Sequence, residues 1–365
     1  MAGPRLKPWI DALHSYVPGP SQGAGGVPLT KLGSNENPYG CSMVALRALA
    51  VPSRPWLYPD PDCTELRQEI SRLHGLDPAR IVCGSGSGEL LHCAVQAFAG
   101  VGDSVVLPRY SFSLYPLLAH KVGATPVLAA DADYGASVDA LLAALTPDTR
   151  LVLLDNPNNP VGSWLPAGEV ARLHAGLPED VLLVIDQAYA EYLADGDDDG
   201  AFALADRYGN VLVTRTFSKA YGLAGERIGW ATGAPALIDA INRLRGPFNV
   251  SLAGQSAALA ALGDQDFVAQ SARGNRAART DFEAAIAALG NHGLRAIPSH
   301  ANFVLVLFEG ALSAAGARGA LEAGGYAVRH LPGQGLGHAL RITIGTQNQM
   351  KEVATIIARA AVAAG

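Results

Sequence analysis

Short apolar runs alternate with longer stretches of helical spacing from about residue 80 onward. Each apolar run ends at Asp, Gly, Pro or Asn, and most runs are apolar throughout, as strands covered on both faces are. Seven such runs occupy 81–83, 104–107, 125–128, 151–154, 181–185, 211–214 and 228–231. The pattern predicts an α/β fold with a large, mostly parallel seven-stranded sheet between helices.

The pattern changes after residue 250, where an Ala-rich stretch of helical spacing, 251–289, precedes shorter apolar runs at 302–307 and 340–344. This part predicts a smaller α+β domain, 251–365, beside a large domain at 46–250. Prolines interrupt residues 1–45 repeatedly. We therefore expect this segment to be extended, without regular structure, and to pack on both domains.

Composition narrows the classes of function. A net charge of −6 and the lack of a basic run argue against nucleic-acid binding, and no stretch has the length and polarity of a membrane span or an export signal. The four cysteines form no C-x-x-C pair, so neither a disulfide framework nor a metal site is indicated. We predict a cytoplasmic, globular protein with no metal and no nucleic-acid or membrane partner.

Two polar residues, each following an apolar run, are candidates for binding a cofactor. Lys219 lies among small hydroxyl residues and glycines in 216–227, and a desolvated lysine there could form a Schiff base, although a surface loop is the alternative. Asp186 ends the run 181–185. A buried carboxylate needs a cationic partner, which the protonated ring nitrogen of pyridoxal phosphate would supply, unless Asp186 simply caps the next helix.

Two further segments suit ligand binding. In 156–162, Asn-Pro-Asn-Asn-Pro-Val-Gly, two X-Pro steps hold the chain extended, so an Asn amide could point at a ligand oxygen, or the segment could be a plain turn. In 84–89, Gly-Ser-Gly-Ser-Gly-Glu precedes a predicted helix, 88–98, whose free N–H groups would bind a phosphate. The G-x-G-x-G spacing is not the dinucleotide fingerprint.

Taken in this order, the four segments resemble the fold-type-I pyridoxal phosphate aminotransferases, and more narrowly the histidinol-phosphate aminotransferase family. The resemblance covers nearly the whole chain and includes 16–19, 34–40, 57–60, 301–303 and 340–346. It implies a pyridoxal 5'-phosphate enzyme that acts as a homodimer with shared active sites. The implied reaction passes an amino group between L-glutamate and imidazole-acetol phosphate in histidine synthesis.

The resemblance also implies a role for each matching residue. Lys219 would be the Schiff-base lysine and proton carrier, and Asp186 would pair with the ring nitrogen. Tyr189 and Asn159 would bond the phenolic oxygen of the cofactor, and Phe112 would stack on its ring, with a core aromatic as the alternative. The cofactor phosphate would be bound by Ser87, Gly88, Thr216, Ser218, Arg227 and Tyr58, the last from the second subunit.

The implied substrate contacts begin with Arg341, which resembles the arginine that forks onto the carboxylate of the amino donor. Arg329 resembles a second arginine that helps to bind the substrate phosphate. Tyr16 and Asn37 would line the same pocket.

The chain also departs from the family. Gln187 stands where many relatives have Glu, and Glu226 could compete for the neighbouring arginine. His300 and His330 would alter substrate preference if either lined the pocket.

Several alternatives stay open. Relatives with the same motifs act on aromatic or other amino acids, and decarboxylases of O-phosphorylated amino acids share the scaffold. A regulatory domain of aminotransferase ancestry would need an attached DNA-binding module, and a nicotinamide enzyme would need the missing fingerprint.

Overall fold

The computed structural model describes residues 3–11, 13, 28–51 and 54–365. Its strands are β1 Thr30–Leu32, β2 Ile81–Gly84, β3 Ser104–Pro108, β4 Thr125–Ala129, β5 Asp131–Ala132, β6 Gly135–Ala136, β7 Thr149–Asp155, β8 Leu182–Asp186, β9 Val211–Thr216, β10 Gly229–Gly233, β11 Leu294–Ile297, β12 Phe303–Phe308, β13 Tyr326–Leu331 and β14 Leu336–Thr343. Its helices are α1 Pro8–Asp11, α2 Met43–Ala50, α3 Thr64–His74, α4 Ser87–Phe98, α5 Leu114–Val122, α6 Val138–Ala143, α7 Ala167–Ala175, α8 Ala201–Arg207, α9 Pro235–Leu244, α10 Leu252–Leu262, α11 Gln265–Ala287, α12 Ala314–Ala323 and α13 Gln347–Ala364.

The larger sheet has seven strands in the order β2-β10-β9-β8-β7-β3-β4. All seven overlap the apolar runs of the sequence, and only β10 runs antiparallel to its neighbours. Alternate residues of β7 pack into two different cores, Leu151 and Leu153 on one face and Val152 and Leu154 on the other. Helices therefore cover both faces, and the predicted α/β fold with a mostly parallel seven-stranded sheet is confirmed.

The smaller sheet has the order β1-β13-β14-β12-β11, and its pairs are antiparallel except β1 with β13. Helices α11, α12 and α13 share a core with it. Strand β1 lies in the segment that the sequence predicts to lack regular structure. It pairs with residues 326–328, and no local pattern reveals so distant a partner.

The Ala-rich stretch forms two helices, α10 and α11. Gly263 follows α10, whereas Gly274 lies inside α11. A Cβ on Gly274 would lie 2.5 Å from the Tyr39 hydroxyl oxygen, so the glycine allows that ring to approach the helix. In the described part of the chain, no helix has the length and apolar character needed to cross a membrane.

Candidate active site

A cavity of about 310 Å³ opens at the carboxyl edge of the large sheet, where the smaller sheet adjoins it. Because parallel strands end at the same edge, β7, β8 and β9 deliver polar residues to one place. The predicted site residues that line the cavity are Ser87, Gly88, Phe112, Asn159, Asp186, Tyr189, Thr216, Ser218, Lys219, Arg227, Arg329 and Arg341.

Lys219 follows β9 and is half-buried in this cavity. Its Nζ donates a hydrogen bond to the Ser34 carbonyl oxygen at 3.1 Å and lies 5.8 Å from the centroid of the Tyr189 ring. Burial, and then the charge of Arg341, lower the pKa of Lys219 to about 8. A substantial fraction of the amine is therefore neutral near physiological pH, which is the form that attacks a carbonyl.

Asp186 is the last residue of β8, and its side chain is buried. It accepts hydrogen bonds from the hydroxyls of Tyr115 at 3.1 Å and Thr214 at 3.0 Å, and burial raises its pKa to about 6. Tyr189, not Asp186, occupies the cap position of the short 3₁₀ turn that follows. The carboxyl group is thus placed to receive a cation in the cavity.

Tyr189, Asn159 and Arg341 contribute further polar groups to the cavity lining. The Tyr189 hydroxyl accepts a hydrogen bond from Asn35 Nδ2 at 2.8 Å, and burial raises the pKa of Tyr189 to about 12, so the hydroxyl keeps its proton. The Arg341 guanidinium donates to Asn159 Oδ1 at 2.5 Å and to the Gly33 carbonyl oxygen at 2.6 Å. These bonds fix where the arginine stands in the cavity.

One end of the cavity is built for an anion. Helix α4 begins at Ser87, and the first N–H groups of a helix have no partner within it. Arg227 Nη1 donates to Ser218 Oγ at 3.1 Å beside this helix end. A Cβ on Gly86 would lie 2.4 Å from Arg227 Nη2, and one on Gly229 would lie 2.2 Å from Ser87 N. The two glycines therefore allow the guanidinium and strand β10 to approach the start of α4 closely, and together these groups form a cradle for an anion.

These groups fit pyridoxal phosphate. The cradle suits a phosphate, Asp186 suits a protonated ring nitrogen, and Lys219 suits an aldehyde. Within the described residues, no group of three or more His, Cys, Asp or Glu is arranged to hold a metal ion.

Two of the predicted residues that the structure describes do not line the cavity. Tyr58 is 81% exposed and stacks on Phe248 with ring centroids 4.4 Å apart. The Asn37 amide donates to the Ala220 carbonyl oxygen at 2.8 Å and to Ser271 Oγ at 3.1 Å, so it braces the loop after Lys219 instead. Tyr16 lies outside the described residues.

Gln187, one of the departures from the family, points away from the cavity. It donates to Asp199 Oδ1 at 2.6 Å and accepts from Arg215 at 3.0 Å. Arg227 bonds Ser218 and the Ala224 carbonyl oxygen, and the ion pairs of the described residues do not join it to Glu226.

The two histidines lie elsewhere. The ring centroid of His300 is 5.4 Å from that of Trp164, and His330 Nε2 donates to the Gly337 carbonyl oxygen at 2.9 Å. Neither is in the lining of the cavity.

Sequence reasoning missed three residues of the site. Asp155 ends an apolar run as Asp186 does, so the same signal could have found it. Asn35 has a φ of 58°, a conformation that Asn tolerates better than most residues, and it lies in the motif 34–40. Tyr115 carries no local signal, because only the fold brings α5 to Asp186.

The fold and the site are those of a pyridoxal phosphate-dependent aminotransferase. Residues 27–357 match the family model described as aminotransferase class I and II, and the chain belongs to this family and, within it, to the histidinol-phosphate aminotransferases.

Individual relatives agree. The histidinol-phosphate aminotransferase of Erythrobacter litoralis is 62% identical, over 99% of this chain and 98% of that protein. The protein of the same name from Zymomonas mobilis is 57% identical, over 98% and 97%. The solved structure of histidinol-phosphate aminotransferase from Sinorhizobium meliloti in complex with pyridoxal-5'-phosphate has a TM-score of 0.90 and 31% identity, and the match covers 100% of this chain and 99% of that one.

Proposed function

We propose that the protein transfers the amino group between histidinol phosphate and 2-oxoglutarate as a step of histidine biosynthesis. The observation that carries this proposal is the pair formed by Arg329 and Arg341. They are register partners on β13 and β14, and both line the cavity that holds Lys219.

A guanidinium that lines a cavity can make charge-assisted, bidentate hydrogen bonds to a phosphate or a carboxylate. Arg227, across the cavity, serves the cofactor phosphate. We assign the phosphate of histidinol phosphate to Arg329 and a carboxylate of glutamate or 2-oxoglutarate to Arg341.

The bound cofactor supplies an electron sink for the electrons of the broken substrate Cα–H bond. Lys219 Nζ carries the proton that leaves Cα, and a pKa of about 8 suits this general-base work near neutral pH. Asp186 keeps the ring nitrogen protonated, and the Tyr189 hydroxyl and the Asn159 amide hold the phenolic oxygen.

The test compares three amino donors. The pyridoxal phosphate-loaded protein is mixed with histidinol phosphate, phenylalanine or glutamate, and the visible absorption of the cofactor is followed by stopped flow. Fastest conversion with histidinol phosphate supports the proposal. Faster conversion with phenylalanine would indicate an aromatic aminotransferase. In a separate incubation, release of CO₂ from an O-phosphorylated amino acid would indicate the decarboxylase.

Arg329→Ala sharpens the test. A charge-assisted hydrogen bond is worth about 1.5–3 kcal/mol, so kcat/KM for histidinol phosphate should fall about 10- to 100-fold, and that for glutamate far less. The matched control is Arg295→Ala on β11, because Arg295 pairs with Asp133 outside the cavity. Equal losses on both substrates would show that Arg329 does not bind the phosphate.

We propose further that the protein is a homodimer in which Tyr58 completes the active site of the partner. Apolar side chains that a partner would cover are exposed on α2 and the segment after it: Met43, Val44, Leu46, Val51, Trp56, Leu57 and Tyr58. Trp56 is 76% exposed, and such a patch on a monomer indicates an interface.

Mixed dimers test this sharing. When Tyr58→Ala and Lys219→Ala subunits are unfolded and refolded together in equal amounts, half of the dimers are mixed, and each mixed dimer has one intact site. Activity should therefore return to about a quarter of the parent value. Activity no greater than the mean of the two separate variants would contradict a shared site.

The organisation of the chain is part of the proposal. We propose that residues 46–250 form the cofactor-binding domain and 251–365 the smaller domain, with 1–45 packing on both. The pairing of β1 with β13 supports the contact with the smaller domain. We propose a cytoplasmic location, and the four cysteines, all free thiols, support a reducing compartment.

A further inference from the structure

Two buried carboxyl groups lie side by side at the edge of the large sheet. Asp155 ends β7 and Asp186 ends β8, and the two residues are register partners in a parallel pair. Neighbouring parallel strands are about 4.8 Å apart, and side chains in register point to the same face. Each residue is 3% exposed, and both line the cavity. Two adjacent buried carboxylates repel unless a cation or a shared proton lies beside them.

Hydrogen bonding selects the ionised form of Asp155. Its Oδ2 accepts from the backbone N–H of Phe112 at 3.1 Å and of Asn159 at 2.8 Å, and its Oδ1 accepts from Asn158 Nδ2 at 2.9 Å. All three groups are donors, and a carboxylate accepts more strongly than a protonated carboxyl group, so these bonds favour the ionised form. Burial, and to a lesser degree Asp186, raise the pKa of Asp155 to about 7, and a cation beside the two groups would favour ionisation again.

The donors around the two carboxyl groups carry no charge. Asp155 is bonded by two backbone amides and one asparagine amide, and Asp186 by the hydroxyls of Tyr115 and Thr214. The charge that balances two carboxylates therefore has to come from the cavity. Lys219 supplies part of it, since its charge lowers the pKa of Asp186, and the protonated ring nitrogen assigned to Asp186 would supply a second cation.

We propose that Asp155 is a second carboxylate for the cofactor ring: it adds its negative charge to that of Asp186, keeps the ring nitrogen protonated, and holds the backbone of Phe112 and Asn159. The inference rests on the proposed function and extends it to a residue with no role so far. Asp155 is a positioning residue. It acts on the ring through the electrostatic effect of its charge and through its hydrogen bonds to the backbone of Phe112 and Asn159.

The test separates the effect of the charge of Asp155 from the effect of its hydrogen bonds to the backbone. The full-length protein is freed of cofactor, and dissociation constants are measured by calorimetry for pyridoxamine 5'-phosphate and for its analogue in which a C–H group replaces the ring nitrogen. Loss of positioning weakens both ligands, whereas loss of charge weakens only the one with the nitrogen. The ratio of the two constants therefore reports the charge alone.

In Asp155→Asn the preference for the nitrogen-containing ligand should fall about tenfold, since a nearby charge shifts a pKa by about 1–3 units. Asp155→Ser removes the same charge while its hydroxyl can still accept an N–H, so the preference must fall there too. The matched control is Asp199→Asn. Asp199 is also buried, accepts bonds from Gln187, Asn156 and the Ala201 N–H, and lies outside the cavity lining, so the preference should not change.

A preference equal to that of the parent in both Asp155 variants would overturn the inference, whether or not the two ligands bind more weakly. That result would leave the proposed function intact. A parent protein that binds neither ligand would instead contradict the proposed function, so the two failures are distinguishable.

Discussion

Replacing Gly86 with alanine should lower both the free energy of unfolding and the affinity of the protein for a phosphate group. Gly86 precedes α4 with φ 78° and ψ 163°, a region of backbone conformation that is nearly restricted to glycine. Forcing another residue into it costs about 1–3 kcal/mol. The new Cβ would also lie 2.4 Å from Arg227 Nη2 and push the guanidinium away from Ser218.

Two assays separate these effects. Urea unfolding of the cofactor-free Gly86→Ala protein should show the loss of about 1–3 kcal/mol in the free energy of unfolding. Titration with pyridoxal phosphate should show affinity weakened about 10- to 100-fold, because a charge-assisted hydrogen bond of about 1.5–3 kcal/mol is displaced.

Gly335→Ala is the matched control for the effect of backbone strain without a steric clash. Gly335 has φ 76° and ψ 9°, and a Cβ there would meet no atom within 4 Å. This variant should lose about 1–2 kcal/mol of stability and keep the affinity for cofactor. If Gly86→Ala binds pyridoxal phosphate as tightly as Gly335→Ala does, the reasoning about the cradle is refuted.

Three further changes test other parts of the structure. Tyr115→Phe removes a hydroxyl donor from buried Asp186 and should lower the free energy of urea unfolding by about 1.5–3 kcal/mol; an unchanged value would mean that the bond is not made. The pKa of Lys219 is lowered from 10.5 to about 8. Its charged form therefore lowers the free energy of unfolding at pH values below 8, and this destabilisation decreases as the pH rises from 8 to 10.5. Cofactor-free Lys219→Met should therefore be more stable than the parent at pH 7 by about 1–3 kcal/mol, and a difference that persists at pH 10.5 would contradict this cause. Thr346→Ala removes the capping box at the start of α13 and should cost about 1 kcal/mol in the same unfolding assay, whereas Thr355→Ala, in the helix interior, should cost less.

The large sheet could be predicted because its strands are buried on both faces. Runs such as 151–154 and 211–214 are apolar throughout for that reason, and a residue that ends such a run, as Asp186 does, lies at the ligand-binding edge. The glycine-rich segment before α4 could be predicted because a helix start that binds an anion favours glycine, and at Gly86 the structure leaves no room for a Cβ beside Arg227.

Long-range pairing could not be predicted. Strand β1 pairs with β13, and Asn35 bonds Tyr189 and Thr343, across separations that leave no periodic signal. Asp199 ends a stretch of aspartates and one glycine, 195–199, yet it is 1% exposed because Gln187 and Asn156 donate hydrogen bonds to it. A charged residue inside a polar run gives no sign of burial until its partners are known.

Covalent labelling tests the central claim most directly. The chain has five lysines, Lys7, Lys31, Lys121, Lys219 and Lys351. The pyridoxal phosphate-loaded protein is reduced with borohydride, digested and analysed by peptide mass spectrometry. The account predicts a phosphopyridoxyl group at Lys219 in nearly every subunit, and labelling mainly at another lysine, or at none, would contradict it.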